Sequence, residues 1–235
     1  MFNVIFEVHP HAATFEQYLA LALHLKPILT ATDGFLDNER FKSLKRAGWV
    51  LSLSTWRDEK SLVRWRTEAE HHRVQELGRA QVFEDYRLQV GEIFADSASP
   101  SGQVPAQQRF DETLSSPAKA VTITEMQCTA AAAEAFMQQA FDSPTLREEV
   151  IGFELYESIY NPGKLCALTA WRKGASAADW NPAPSAQIDI LRHRCVRVVR
   201  AYGLDDRVEA PQFYPARCPF VPPNSKTSIA EPSAP

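Results

Sequence analysis

The chain has 235 residues, 45% of them hydrophobic and 23% charged, with a net charge of −4 and an isoelectric point near 5.9. Those proportions describe a globular protein, and the acidic balance argues against a surface built to hold phosphate backbones, so no nucleic acid partner is expected. No apolar run approaches the roughly 20 residues that a membrane span needs, and the opening MFNVIFEV has neither a basic n-region nor a cleavage site. A cytoplasmic protein with no membrane partner is the expectation. Cys128, Cys166, Cys195 and Cys218 form no Cys-x-x-Cys pair, and no histidine stands at zinc-site spacing, so no metal is expected.

Phe2, Val4, Phe6 and Val8 alternate with Asn3, Ile5, Glu7 and His9, which predicts a strand with one apolar face. Thr14 with Gln17 fits a capping box at the start of a helix. Its apolar stripe is Phe15, Tyr18, Leu19, Ala22 and Leu25, and Pro27 is expected to end or bend it. Asp33-Gly34 turns the chain into a second strand, 35–41, and a hairpin closing at Gly48 leads to a third, 49–56. In that third strand Trp49, Leu51 and Leu53 share one face, while Ser52, Ser54 and Trp56 share the other. Asp58 is expected to cap one helix running to about Gly78, with Leu62, Trp65, Ala69, His72 and Glu76 recurring on a single face. Residues 82–90 close the unit as a fourth strand. The order β-α-β-β-α-β is a ferredoxin-like unit. Its sheet is covered by helices on one face only, so the other face needs a cover.

The middle of this unit occurs twice. Gly34, Phe35, Glu39, Gly48, Leu53, Trp56, Arg57 and Trp65 recur as Gly152, Phe153, Glu157, Gly163, Leu168, Trp171, Arg172 and Trp180. The offset is 118 at the first glycine (152 − 34) and 115 at the first tryptophan (171 − 56). An internal duplication with one short deletion accounts for both values. The expected organisation is a first repeat over 1–94, a Ser/Pro/Gln-rich linker over 95–117, a degenerate second repeat over 118–203 and a Pro-rich tail over 204–235. The second repeat has a strand from Val121, an Ala-rich helix over 130–141 and a last strand over 190–199. Pro182 and Pro184 forbid a regular second helix there. The last residues of the tail are expected to be mobile. Arg192, Arg194, Arg197 and Arg200 read as the solvated face of the last strand. Each repeat's sheet is the obvious cover for the other's.

The phrases GFLDNERF (34–41), LSLSTWRD (51–58), WRTEAEH (65–71) and VFEDYR (82–87) resemble the antibiotic biosynthesis monooxygenase domain family over nearly all of the first half. The resemblance implies an α+β fold, the dimeric α+β barrel, in which two ferredoxin-like units close their sheets face to face. With both units on one chain the barrel is expected to be intramolecular, and a homo-oligomer of such barrels stays open. The resemblance also implies a cofactor-independent monooxygenase that oxidises a small aromatic or quinol-type substrate with dioxygen, the substrate supplying the electrons. In the family's aromatic-polyketide enzymes a helix Trp and a Tyr six residues later line the cavity. Those positions are Trp65 and His71 here, which keeps a proton-transfer group but puts the same substrate in doubt. Haem-degrading members use an Asn on the first strand and an axial His ten residues after the Trp. Glu7 and Gln75 stand there instead, so that reading loses two of its three residues. The remaining alternative is a non-catalytic module of the same fold that binds a small ligand or a partner.

The candidate catalytic residues are therefore His71, His72, Trp65 and Tyr86, and the candidate substrate-binding residues are Glu7, Trp56 and Phe83. On one continuous helix, at about 100° per residue, His72 lies about 20° from Trp65 and His71 about 120° away. Family spacing selects His71 instead; one of the two should face the cavity and the other solvent. Trp65 is a cavity wall or a core anchor, and Trp56, which recurs with its Arg, reads as barrel packing or wall. Tyr86 is a donor to a bound oxygen or a rim residue. Glu7 is a base with a raised pKa if its face lines the cavity, and an edge charge if it does not.

Overall fold

A computed structural model describes residues 1–211 of the chain. Among these the first half contributes β1 (Phe2–Pro10), α1 (Phe15–Ala31), β2 (Phe35–Ser43), β3 (Val50–Trp56), α2 (Glu59–Arg66), α3 (Ala69–Leu77) and β4 (Phe83–Asp96). The second half contributes β5 (Ala120–Gln127), α4 (Ala130–Phe141), α5 (Pro144–Glu149), β6 (Val150–Ser158), β7 (Lys164–Trp171), α6 (Gly174–Asp179) and β8 (Asp189–Gly203). The strands close into an antiparallel barrel in the order β1-β3-β2-β6-β7-β5-β8-β4. The chain is thus a tandem ferredoxin-like α+β barrel completed within one polypeptide.

Alternation along the strands sorts side chains to the two faces of the wall. Ile5, Phe41, Leu51 and Leu53 of the first half meet Ile123, Tyr156, Leu168 and Val198 of the second in one interior cluster. Each buried side chain of this size contributes ~1.5–3 kcal/mol. The halves join at a short β2–β6 seam, Phe41↔Ser158 to Ser43↔Tyr156, and at a long β4–β8 seam, Arg87↔Gly203 to Asp96↔Arg194. Both β4 and β8 outrun the expected 82–90 and 190–199, because the added residues pair across the long seam with the other half.

The basic run on β8 is not a solvated face. Arg194 is fully buried, bonded to Glu125 and to Thr55 Oγ1 at 3.2 Å; Arg192 pairs with Asp37 (2.9 Å) and Asp96 (2.7 Å), and Arg197 pairs with Glu92. β8 lies inside the sheet between β5 and β4, so these guanidiniums are held by carboxylates rather than by water.

Local structure departs from expectation in three places in the first half. Thr14 does not cap α1 with its side chain; its Oγ1 donates to the carbonyls of His11 (3.2 Å) and Val82 (3.0 Å), tying the helix start to the end of the α3 region. Pro27 is carried inside α1. Leu23, whose carbonyl loses the helical bond, is exposed, where water can satisfy it. Most consequentially, the single helix expected over 58–78 is two helices followed by a π-helical turn over 78–82. The Asp58 carboxylate accepts the Ser61 N–H at 2.7 Å and starts α2, as expected. Glu68 then adopts an extended backbone and accepts the His71 N–H at 2.7 Å, so a second cap interrupts the first helix.

In the second half α4 spans the expected residues, α6 retains only a six-residue remnant, and Pro182 and Pro184 follow it outside any helix. The connection over 97–119 lies against the barrel: Thr113 N–H donates to the Val198 carbonyl at 2.9 Å, and Glu92 accepts the N–H groups of Gln108 and Arg109. Beyond β8, Leu204 is buried, and Glu209 accepts from Thr113 Oγ1 (2.7 Å) and the Ala201 N–H (2.7 Å). Residues 212–235, with Cys218 and the end expected to be mobile, lie outside the described residues. Among the described residues no helix is long and apolar enough to cross a membrane.

Candidate active site

Between the outer face of the first-half sheet and its helices lies a cavity of about 210 Å³. That exceeds the ~150 Å³ apolar cavity known to admit benzene, so a ring fits. Strand register lays its floor in two rows. One runs Arg40, Ser52, Phe6, Leu88, Tyr202; the other runs Asn38, Ser54, Val4, Val90, Arg200. The period of two on β1 and β3 puts these residues outward while Ile5, Leu51 and Leu53 point into the barrel. Tyr18, Ala22, Leu25 and Leu29 of α1, with Leu62 of α2 and Val74 of α3, form the roof.

One end of the cavity is an aromatic stack. Trp56 is fully buried, set edge-on to Phe35 (5.5 Å) and stacked under Trp65 (6.3 Å). Trp56 backs the wall from below and does not line the cavity. Trp65 lines it and carries His71 against its face, the ring centroids 4.0 Å apart and the planes 14° from parallel. The helical break at Thr67-Glu68 makes this possible, because the extended Glu68 takes α3 off the axis of α2. The angles of a single continuous helix therefore do not apply, and it is His71 that reaches the cavity. His72 is absent from the lining; its half-exposed ring lies 3.5 Å from Glu76 Oε1.

His71 Nδ1 lies 2.9 Å from the Trp65 carbonyl oxygen. A carbonyl can only accept, so Nδ1 carries the hydrogen and Nε2 keeps its lone pair, with the Gln75 amide nitrogen 3.3 Å away. Burial pushes the imidazole pKa down to about 4, outweighing the Trp65 carbonyl and the Glu68 charge that raise it. At neutral pH this is a neutral histidine with a defined tautomer and a basic nitrogen.

A second polar group sits at the β4 end of the floor. Tyr86 lines the cavity, and its hydroxyl accepts from Arg79 Nη1 (3.1 Å) and Arg207 Nη1 (2.8 Å). With both lone pairs taken, its own proton is available to a bound oxygen. Phe83 lies edge-on to Tyr86 at 6.0 Å and to Tyr18 at 6.2 Å, completing that wall. The Tyr86 hydroxyl is thus a buried, doubly bonded group and not a rim group.

Glu7 is placed elsewhere. It faces the barrel interior, where it accepts from the Tyr156 hydroxyl at 2.6 Å and from Arg46, which also pairs with Glu154 at 3.2 Å. Glu7 ties β1 to β6 across the two halves and is neither a cavity base nor an edge charge. Tyr18, Arg40 and Gln75 also line the cavity, although sequence pattern marks Tyr18 only as helix stripe and Gln75 only as a departure from the haem ligand set. The signal for Arg40 was present: on β2 the alternation that buries Phe41 sets Asn38 and Arg40 on the opposite face.

The corresponding region of the second half is filled. Trp171 and Trp180 stand 5.7 Å apart, much as Trp56 and Trp65 do, but Phe141 packs on both at 5.6 and 5.3 Å. Met137, Ala177 and Ile188 complete that cluster.

Comparison with known proteins identifies the family. The family model described as antibiotic biosynthesis monooxygenase matches residues 1–77. The jasmonate monooxygenase ABM of Pyricularia oryzae is 41% identical over 220 residues, covering 92% of this chain and 99% of its own. The chain belongs to the antibiotic biosynthesis monooxygenase family. Solved structures are more distant. A structure titled antibiotic biosynthesis monooxygenase is 19% identical, with a TM-score of 0.36, over 43% of this chain and 100% of its own. A monooxygenase-like protein of Listeria innocua is 10% identical, with a TM-score of 0.25, over 84% of this chain and 94% of its own.

Proposed function

We propose that this family member is a monooxygenase that oxidises a small, largely apolar, ring-bearing substrate with dioxygen in the first-half cavity. The observation that carries the reading is the neutral, tautomer-defined His71 stacked on Trp65 at the wall of a ring-sized, mostly apolar pocket. A ring that fills such a pocket displaces water from it and is oriented against a base.

For an aromatic or quinol-type substrate the chemistry needs no electrons from elsewhere. His71 Nε2 takes the acidic proton, and the electron-rich anion passes one electron to dioxygen. The two radicals combine, and loss of water turns a ring CH₂ into C=O, with one oxygen atom kept and one released as water. A base held at low pKa by burial regains strength in this setting, since the imidazolium forms beside the anion it has created. Tyr86 is placed to donate to a substrate oxygen as charge develops. On this reading no cofactor takes part.

The relative named for jasmonate supports a second substrate reading, an alicyclic keto acid of jasmonate type. Oxygen uptake with dihydroxyaromatics and with jasmonate separates the two. Isotopically labelled dioxygen should leave a single labelled atom in the product. Retention of full activity by His71→Phe would remove His71 from the chemistry, and no uptake with either class would refute the oxygenase reading.

A further inference from the structure

The cavity holds a cation, Arg40, that has no ion-pair partner among the described residues. Arg40 stands at the β2 end of one floor row beside Ser52, with Tyr18 of α1 on the facing side. Its Nη1 donates to Asn38 Oδ1 at 3.3 Å, and among the described residues it forms no ion pair. Its Nε is buried without a hydrogen-bond partner, and so is the hydroxyl of Tyr18. Tyr18 is buried, which raises its pKa, and the Arg40 guanidinium is near enough to pull it the other way. The two side chains are in polar contact, yet the Tyr18 hydroxyl and Arg40 Nε each fall short of full hydrogen-bond geometry. Two other guanidiniums of the cavity differ: Arg79 and Arg207 are bonded to the Tyr86 hydroxyl and to backbone carbonyls. Buried polar groups without partners are rare in folded proteins. Two such donors side by side, in a cavity otherwise mostly apolar, fit an acceptor that the chain does not provide.

A guanidinium and a phenolic hydroxyl together present donors suited to the two oxygens of a carboxylate. We infer that Arg40 and Tyr18 form a carboxylate subsite, which takes the acid group of an otherwise apolar, ring-bearing substrate. The inference rests on the proposed reading of the cavity as the substrate site, and it selects acids over neutral quinols or esters. The spacing suits this arrangement. Arg40 pairs with Ser52, and Trp56, beneath the Trp65–His71 stack, is four residues further along β3, or ~13 Å of strand. An acid pinned at Arg40 lays its body over Phe6, Val4 and Leu88 and directs its far end towards His71.

The test is ligand binding with oxygen removed, so that nothing turns over, read as quenching of tryptophan fluorescence. Jasmonic acid and methyl jasmonate are titrated into the wild-type protein and into Arg40→Met, Tyr18→Phe and Arg200→Met, each first checked for native circular dichroism. The wild type should favour the acid by roughly tenfold or more, the usual scale of a charge-assisted contact. Arg40→Met should lose roughly 10- to 100-fold in affinity for the acid and little for the ester. Tyr18→Phe should lose less, and Arg200→Met should keep the preference. Equal binding of acid and ester by the wild type overturns the subsite and leaves the cavity reading intact, as does a preference lost in Arg200→Met but kept in Arg40→Met. If neither these two molecules nor a matched pair of aromatic acid and ester binds the wild type, the cavity reading fails and takes the subsite with it.

Discussion

The two halves share a scaffold and differ in what lies between sheet and helices. In both, a buried tryptophan at the end of a strand supports a second one from the following helical segment: Trp56 under Trp65, and Trp171 beside Trp180. In the first half α2 and α3 roof a hollow. In the second, the remnant α6 and the irregular stretch after it bring Trp180 against Phe141 and His193, and the space is solid. A hollow forfeits dispersion contacts and destabilises the fold. One copy retains that cost while the other supplies the packed counterpart to the barrel. Duplication thus separated two demands that a symmetric dimer must meet twice.

The comparison can be broken from the side of chemistry. His71→Phe keeps an aromatic ring on Trp65 but removes the nitrogen. Turnover should fall by roughly 10²–10⁴-fold, the usual contribution of a positioned base, with the thermal midpoint nearly unchanged. It can equally be broken from the side of packing. Trp171→Ala should destabilise by ~3–5 kcal/mol in a denaturant titration, whereas Trp65→Ala, at the edge of an existing hollow, should cost less while impairing turnover more. Equal costs at the two sites would deny the asymmetry.

Acid should sharpen the comparison, because each half buries one neutral histidine. Burial takes both His71 and His193 down to about 4 from the ordinary 6.5; His193 bonds Thr124 Oγ1 at 2.9 Å and meets the edge of Trp180 at 5.2 Å. Above pH 6.5 neither group is protonated in the folded or the unfolded chain, and their contribution is fully present. As pH falls from 6.5 towards 4, the unfolded chain binds protons that the folded one refuses, so stability declines and then levels off for these groups. Urea midpoints measured across that range should drop, and replacing either histidine by a non-titrating residue should remove its share of the slope. Catalysis should follow His71 alone: kcat/KM should rise with pH through about 4 and stay flat across neutrality. The smallest effect is expected at His72. His72→Ala should change neither turnover nor stability by more than about 0.5 kcal/mol, as for other exposed positions.

Much of this architecture is legible in the chain. The alternation of β1 and β3 separates barrel-facing from helix-facing residues, and the repeated tryptophans announce two copies of one unit. The break before α3 is not legible, because Glu68 is a good helix former; only its capping of the His71 N–H reveals the stop. That one cap is why continuous-helix angles favour His72 while family spacing and the structure place His71 at the cavity. Arg194 and Glu7 also resist reading, since a charged residue on a strand looks solvent-facing until the closed barrel brings Glu125, or Tyr156 and Arg46, to meet it. Residues whose partners lie in the other half are the ones sequence pattern cannot place.

The most direct measurement is a crystal structure of the protein with jasmonate or a dihydroxyaromatic bound under anaerobic conditions. The account predicts the ring between α1 and the outer face of β1 and β3, in contact with His71, with the second half still packed around Trp180. A ligand seated in the barrel interior or against Trp180, or a first-half cavity closed by its own side chains, would contradict it.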